Sequence, residues 1–332
     1  MRITLQILLL AAGVLCTGGW GPRGHMAANR AAVNALPAEL AFLKPYSDWI
    51  AETGPLPDSW RGAGEPYSKI FEDPNHGWFK EQFAFLKEIP RNRYEFVIRL
   101  YDEYLRVSKK DPEAAKLINV RWTGTMPYAA MENYDRMKSA MRLYRAAADD
   151  SPSKKFLAQD IAFYMGWLGH YTADGAQPLH DTIHHDGWLG PNPKNYTRDP
   201  RIHGRFESAF VDLIQLTDAD LKPAAPEVLT DPFAAFIGHL DDASTRVEEV
   251  YQLDAGGAFA DKDNKAAKTL ATRQLTKAAE LLRDLTCTAW VESAKPANRS
   301  AGPDGNPILP THPRYNPETG TAPPGPGVAV RH

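Results

Sequence analysis

Histidine and carboxylate side chains recur four residues apart in two segments of this sequence. His170 and Asp174 lie in GHYTADGAQPLH, which also contains His180, and His203 and Glu207 lie in HGRFE. Residues four apart on a helix share a face, so each pair can direct both side chains at one ion. His180 lies just past a proline that ends the helical pattern, where the chain can fold back towards the first pair. These spacings predict metal coordination by histidine and carboxylate.

Two further candidate ligands precede these pairs, and both lie in segments that contain proline. Asp58 lies in LPDSW and His76 lies in DPNHGW. The chain has only two cysteines, so a zinc site must be built from imidazole nitrogen and carboxylate oxygen. Such ligands are typical of catalytic zinc, which keeps an open position, rather than of closed thiolate sites. One pair of this kind also arises from surface ion pairs or core histidines, whereas the combined set favours a metal.

Residues 1–19 have the pattern of a secretory signal peptide. A basic residue precedes the apolar run ITLQILLLAAGVLC, which is too short to span a bilayer, and the small residues Thr17 and Gly19 permit cleavage before Trp20. We therefore expect a secreted or periplasmic protein; the alternative is a buried first helix. Trp20 and His25, in GGWGPRGH, are then either the ordinary start of a mature chain or part of a site.

The net charge and the number of cysteines limit which classes of protein this chain can belong to. Cleavage before Trp20 would remove Cys16 and leave Cys287 alone, so we expect no internal disulfide and regard bound metal as one source of stability. The net charge of −3 provides no basic field for nucleic acid or a membrane surface. No later run is long and apolar enough for a transmembrane segment.

The elements that must position these side chains are predicted to be helices. Apolar residues recur at helical spacing in RYEFVIRLYDEYLRVSKK and YAAMENYDRMKSAMRLYRAAA, and SPSKKFLAQDIAFYMGWLGHYTADGAQP opens with a capping serine and ends at Pro178. Strand-like alternation is scarce. We predict one all-α domain over residues 20–295, a helical bundle with long loops. Residues 181–202 form a polar loop rich in Gly, Pro and Asn, and residues 296–332 a Pro/Gly-rich disordered tail.

The ordered candidate set resembles the trinuclear zinc superfamily, which joins bacterial zinc-dependent phospholipases C and single-strand-specific nucleases. The resemblance covers roughly residues 20–292, and GHYTADGAQPLH is similar to its most diagnostic motif. It implies a multi-helix bundle of the phospholipase C/nuclease type with long active-site loops, a monomer with three zinc ions per chain. The residues that carry the resemblance are Trp20, His25, Asp58, His76, His170, Asp174, His180, His203 and Glu207.

The resemblance also implies how these residues share the metal ions. The first zinc would be bound by the α-amino group and carbonyl oxygen of Trp20, by His25 and by Asp174. The second would be bound by Asp58, His76 and His170, with Asp174 bridging the first and second ions. The third would be bound by His180, His203 and Glu207. Asp58 is expected to orient or deprotonate the attacking water as well. Arg61, three residues later, would neutralise phosphate charge; the alternative is a solvated surface arginine.

The substrate is left open by these features. The short step from Trp20 to His25 and the long interval from His180 to His203 resemble the nuclease branch, whereas Glu207 resembles the phospholipase branch. The first expectation is a secreted zinc-dependent nuclease that cleaves single-stranded nucleic acid. The second is a phospholipase C acting on phospholipid head groups. The third is a non-catalytic zinc-binding helical protein, which predicts ligands with no accessible pocket.

Overall fold

The computed structural model describes residues 20–62 and 64–296, and its fold is all-α, which confirms the predicted fold class. Within these residues there is no β-strand, and the one isolated bridge joins Trp78 to Gly124. The predicted signal peptide, and all of the predicted tail except Pro296, lie outside the described residues. No helix in the described ranges combines the length and apolar character that crossing a membrane requires.

The helices vary from single turns to eight turns. The α-helices are α1 Gly21–Asn34, α2 Ser47–Thr53, α3 Leu56–Trp60, α4 Pro66–Glu72, α5 Arg93–Ser108, α6 Pro112–Ala115, α7 Val120–Thr123, α8 Met126–Ala146, α9 Pro152–Asp174, α10 Ile202–Gly204, α11 Val211–Leu213, α12 Pro232–Ser244, α13 Val247–Ala255 and α14 Lys265–Ser293. Short 3₁₀ helices lie at Ala38–Tyr46, Asp73–His76, Lys80–Phe83, Pro178–Asp181, Asp218–Asp220 and Ala258–Ala260, and a π-helix at Arg205–Phe210 joins α10 to α11.

The core forms where α1, α8, α9 and α14 pack together. The side chain of Ser151 caps α9 by accepting a hydrogen bond from the backbone of Lys154, as the sequence predicts. The C-terminal half of α9 is buried nearly all round, which is the pattern of a helix surrounded by others. This half contains His170 and Asp174, so the fold places the predicted metal motif at its centre.

A buried asparagine holds α1, α2 and α9 together beside that motif. The side-chain nitrogen of Asn29 donates to the carbonyls of Ile50, at 2.9 Å, and Gly166, at 3.1 Å. A Cβ atom at Gly169 would lie 1.9 Å from the Asn29 Oδ1, so only glycine allows the two helices this approach. The ligand candidate His25 lies one turn before Asn29 in α1, and the ligand candidate His170 directly follows Gly169 in α9. The asparagine therefore sets the distance between them.

The sequence pattern predicts that α9 ends at Pro178, and the helix in fact ends four residues earlier, at Asp174. Pro178 has no N–H for the carbonyl of Asp174, which accepts instead from the backbone of Gln177 at 2.9 Å. The chain then continues as the 3₁₀ turn that contains His180. The second predicted pair also departs from a regular helix, because Glu207 lies in the π-helix, a widened turn that is frequent at functional sites.

The segment 181–202 is irregular, as predicted, but it is built around its own aromatic side chains. The ring of Trp188 stacks on His184 with centroids 4.0 Å apart, and its other contacts are Tyr196 and Tyr251. The backbone carbonyl of Trp188 accepts a hydrogen bond from Arg198. These contacts assign His184 and Trp188 to the scaffold of the loop.

Candidate metal centre

The candidate ligands come from separate elements of the chain and meet in one buried region. Eight of the nine side chains are less than a tenth exposed as residues, and the exception, His203, is 15% exposed at its side chain. Their positions are Trp20 at the start of α1, His25 in α1, Asp58 in α3, His76 at the end of the 3₁₀ helix Asp73–His76, His170 and Asp174 in α9, His180 in the 3₁₀ turn, His203 in α10 and Glu207 in the π-helix.

The first group of ligand atoms surrounds the carboxylate of Asp174. Its Oδ1 lies 3.4 Å from Nε2 of His25, and its Oδ2 lies 3.2 Å from Nε2 of His170. The ligand atoms of these three residues lie within 4.8 Å of one another. The rings of His25 and His170 stack with centroids 4.4 Å apart, so both present nitrogen atoms to the same space.

A second group shares His170 with the first. Asp58 Oδ1 lies 3.6 Å from Nε2 of His76, and the ligand atoms of Asp58, His76 and His170 again lie within 4.8 Å of one another. Asp58 Oδ2 is 3.9 Å from Nε2 of His25. Because His170 belongs to both groups, the two are contiguous.

The third group is formed by the second predicted pair and His180. Glu207 Oε2 lies 2.8 Å from Nε2 of His203 and 3.4 Å from Nε2 of His180. Asp174 connects this group to the others, since its Oδ2 is 3.5 Å from the ring of His180. The three groups therefore form one continuous set of donors, with Asp174 and His170 at its junctions.

Backbone carbonyls orient three of the histidine rings. The Nδ1 of His76 lies 2.8 Å from the carbonyl of Glu72, the Nδ1 of His170 lies 2.9 Å from that of Gly54, and the Nδ1 of His180 lies 2.6 Å from that of His76. A carbonyl can only accept, so each Nδ1 carries the proton and each Nε2 keeps its lone pair. This is the usual support of a metal-binding histidine, in which the second nitrogen fixes the tautomer.

His203 is oriented differently, by a carboxylate that the sequence analysis missed. Asp186 Oδ1 lies 3.3 Å from Nδ1 of His203, and Asp186 Oδ2 lies 3.1 Å from Nδ1 of His185. The pKa of Asp186 is lowered because its hydrogen bonds with these two histidines outweigh the effect of its burial. The carboxylate directly follows His184 and His185 in the loop, and that adjacency is the signal from which it could have been found.

The donor atoms of the first two groups have the environment that a cation requires. Nε2 of His25, His76 and His170, and both carboxylate oxygens of Asp174, are buried without a hydrogen-bond partner among the described residues. Buried polar atoms without partners are rare and destabilising, so a group of them facing one another indicates a position for an ion. These histidine, aspartate and glutamate groups can hold metal ions.

Burial shifts the protonation of the donors. Burial lowers the pKa of His25, His76 and His170, which keeps these rings neutral and able to donate a lone pair. Burial also raises the pKa of Asp58 and of Asp174 to about 7. A cation would reverse this last effect, because it stabilises the charged carboxylate.

The third group has the opposite electrostatic character. Burial opposes a charge on His203, but the carboxylates of Glu207 and Asp186 raise its pKa to about 10. The pKa of Glu207 is lowered, because the neighbouring histidines outweigh its burial. His203 must therefore lose a proton before this group can accept a metal ion.

Trp20 lies at the junction of the first and third groups. Its indole Nε1 donates to the carbonyl of Ala173 at 2.7 Å, and its ring packs against Phe206 with centroids 5.1 Å apart. Ala173 and Phe206 directly precede Asp174 and Glu207 in the chain. Trp20 is thus a buried core aromatic, and coordination by its α-amino group and carbonyl oxygen stays a prediction.

A search of protein-family models and a search of curated proteins found no match to this chain.

The donors open onto a cleft of about 700 Å³. Four of the donors line it, namely His76, His180, His203 and Glu207. The lining also includes the carboxylates of Asp73 and Asp186 and several cationic and aromatic side chains, namely Arg61, Lys69, Phe79, Arg121, Trp122, Arg201 and Arg205. Arg61 contacts one of the donors, since its NH1 lies 3.6 Å from Asp58 Oδ1, and its Nε lies 3.3 Å from Asp73 Oδ1. The predicted phosphate-binding arginine is therefore at the site.

The two aromatic residues that follow Gly77 have different surroundings, and the cysteine of the described residues is buried. Trp78 is buried and packs on Phe83 and Phe96, so it cannot stack on a ligand. Phe79, which follows it, lines the cleft and stacks on His185 with centroids 4.8 Å apart. Cys287 is a buried free thiol.

Proposed function

We propose that this chain is a zinc-dependent phosphodiesterase that cleaves single-stranded nucleic acid and holds three zinc ions. The observation that carries the proposal is the convergence of buried donors into three groups joined by His170 and Asp174. The nine residues predicted from the resemblance would be the ligands, with the α-amino group of Trp20 completing the first site after signal cleavage.

Zinc is the metal that suits these donors best. The three groups each combine two imidazoles with one carboxylate and contain no thiolate. Such mixed nitrogen and oxygen sets are those of catalytic zinc, whereas magnesium and calcium prefer sites made only of oxygen. Each group offers three side-chain donors, which leaves coordination positions for water and substrate.

Zinc in such a site activates water as a nucleophile and polarises the phosphate oxygens. Residues of this chain would handle the proton of the attacking water and bind the phosphate. Asp58, whose Oδ1 lies 3.6 Å from Nε2 of His76, would orient the attacking water or accept its proton. Arg61 lies beside it and would bind a non-bridging phosphate oxygen. Hydrolysis then adds one water molecule across a P–O bond of the substrate.

The walls of the cleft support a nucleic-acid substrate. Single strands bind where cations follow the backbone and aromatic rings stack on bases. Phe79 and Trp122 are the aromatic residues of the cleft, and Trp122 is 40% exposed. Arg121 beside it makes no ion pair within the described residues, so its charge is available to a phosphate. Arginine and lysine outnumber carboxylates five to three in the lining of the cleft, although the net charge of the chain is −3.

A phospholipase C is the second candidate, and one surface feature favours it. Helix α4 carries three exposed apolar side chains, Tyr67 at 91%, Ile70 at 76% and Phe71 at 53% exposure. Lys69 of the same helix lines the cleft. An exposed apolar patch at the mouth of a site is suited to a lipid surface. The third candidate, structural zinc without turnover, is disfavoured because the donors open onto an accessible cleft.

The test uses a chain that begins with Trp20 and a control that retains Gly19 before it. Zinc is counted by elemental analysis, and the same samples are assayed on single-stranded DNA, RNA and phosphatidylcholine. We expect about three zinc ions and nucleic-acid cleavage for the first chain, and a weaker first site for the control. Lipid cleavage alone would establish the second candidate. No bound zinc and no turnover would refute the proposal.

The role of Arg61 is tested separately with Arg61→Met, which removes the charge and keeps much of the volume. We expect the zinc content to be unchanged and kcat/KM for the cleaved substrate to fall about 100- to 1,000-fold, in the range observed when one charge-stabilising donor is removed. An unchanged kcat/KM would return Arg61 to the role of a surface residue.

A further inference from the structure

A second groove lies on a different part of the molecule. It has a volume of about 470 Å³, shares no lining residue with the metal cleft, and is formed where the C-terminal part of α14 meets the segments around residues 37–40 and 226–228. We call it the α14 groove. Its lining is mostly apolar, and the residues that matter below are Pro37, Leu40, Pro226, Val228, Trp290 and Val291.

The α14 groove presents apolar side chains to its surroundings. Val228 is 51% exposed and Val291 is 43% exposed. The ring of Trp290 is held in place, because it packs on Phe42 and the guanidinium of Arg145 lies 3.5 Å from its centroid. A fixed aromatic ring beside prolines and exposed valines is a preformed site for an apolar segment.

The charges around the α14 groove favour a basic occupant. Glu39 and Glu227 line it, both are exposed, and neither makes an ion pair within the described residues. The cation in the lining, Arg145, is already engaged, since it donates to the carbonyl of Trp290 and to the hydroxyl of Ser293. An occupant with one positive charge would therefore be complementary.

The chain itself supplies such a segment a short distance away. Ala294 lines the α14 groove, and 36 residues follow position 296. Among them, residues 307–315 read PILPTHPRY. Pro307, Pro310 and Pro313 are three apart, and a polyproline II helix has three residues per turn, so the three prolines would lie along one edge. Aromatic grooves that bind Pro-rich segments use this spacing.

We propose that residues 307–315 of the same chain bind in the α14 groove. The prolines would pack against Trp290, and Arg314 would pair with Glu39 or Glu227. Between position 296 and Pro307 the chain can reach up to about 34 Å at ~3.1 Å per residue, so the linker is long enough. A linker this short also gives a millimolar effective concentration, so a weak contact is sufficient. The proposal is independent of the metal site and of the proposed function.

The test is hydroxyl-radical footprinting of side chains in the full chain, followed by mass spectrometry of peptides that cover residues 306–316. At about 90% occupancy the side chains of the bound segment should be oxidised up to about tenfold more slowly than those of an isolated peptide with the same sequence, since only the free fraction is accessible. Replacing Pro307, Pro310 and Pro313 with alanine should remove this protection. The matched control replaces Pro323, Pro324 and Pro326, in the same tail but outside the segment.

A second pair of variants locates the contact on the folded domain. Val228→Glu places a charge at the exposed edge of the α14 groove and should abolish protection, whereas Leu213→Glu, at a similarly exposed position on α11, should leave it unchanged. Side-chain oxidation at the rate of the isolated peptide in the wild type would overturn the proposal. Protection that is lost on dilution would overturn it too, because the occupant would then come from a second copy. Protection that Val228→Glu leaves intact would place the segment elsewhere.

Discussion

Replacing Asp174 with asparagine is expected to stabilise the metal-free protein and to destabilise the zinc-loaded protein. Asn has nearly the same shape but no charge, so the packing of α9 is preserved. In the metal-free protein both Asp174 oxygens are buried without a hydrogen-bond partner among the described residues. An amide nitrogen in their place can donate to Nε2 of His170, which has a free lone pair because its Nδ1 donates to Gly54.

The magnitude follows from the pKa of Asp174, which burial raises from 3.8 to about 7. When folding raises the pKa of a group, the contribution of that group to the free energy of unfolding is fully present below its unfolded-state pKa. The contribution is lost as the pH rises through the folded-state pKa. For Asp174 the loss is at most about 4 kcal/mol near pH 7.5 and about 1 kcal/mol near pH 4.5. The asparagine variant does not undergo this loss, so its advantage should grow with pH.

The measurement is urea unfolding followed by circular dichroism, with a chelator at both pH values and then with saturating zinc near pH 7.5. With zinc the order should reverse, because ligand binding stabilises by RT ln(1 + [L]/Kd) and the variant loses the carboxylate shared by the sites. The control is Asp212→Asn, an exposed carboxylate that pairs with Arg23 outside the site. A difference between wild type and variant that is the same with and without zinc would refute the assignment of Asp174 as a ligand.

Three other predictions concern the donors and the packing that holds them. Zinc affinity should fall about tenfold per pH unit below pH 7 for each proton that the carboxyl groups of Asp58 and Asp174 must release on binding. Calorimetry in buffers of different ionisation enthalpy should detect the released protons. Asp186→Asn should lower the affinity for one of the three zinc ions about 10- to 100-fold in equilibrium dialysis and leave the other two affinities unchanged. An equal loss of affinity for all three ions would contradict the role of Asp186 at His203. Gly169→Ala should lower the free energy of unfolding by about 1–3 kcal/mol through its clash with Asn29, whereas the exposed Gly238→Ala, with open space at its Cβ, should not.

Local patterns in the sequence were sufficient for the parts of this protein that depend on neighbouring residues. The cap at Ser151 and the four-residue step from His170 to Asp174 both follow from the geometry of one helix. The all-α class follows from the same periodicity repeated along the chain. The resemblance to a zinc family then allowed more distant residues, such as Asp58 and His76, to be assigned to the same site before any packing was known.

Tertiary structure decided the features that depend on which residues pack together. The proton positions on His170 and His180 are set by carbonyls that lie 116 and 104 residues earlier in the chain. Asp186 reaches His203 because the loop between them folds around Trp188. A periodic pattern fixes which face of a helix is apolar, but it does not fix which other helix covers that face. The candidate metal ligands can therefore be predicted from the sequence, whereas the orientation and protonation of their side chains arise only from the packed fold.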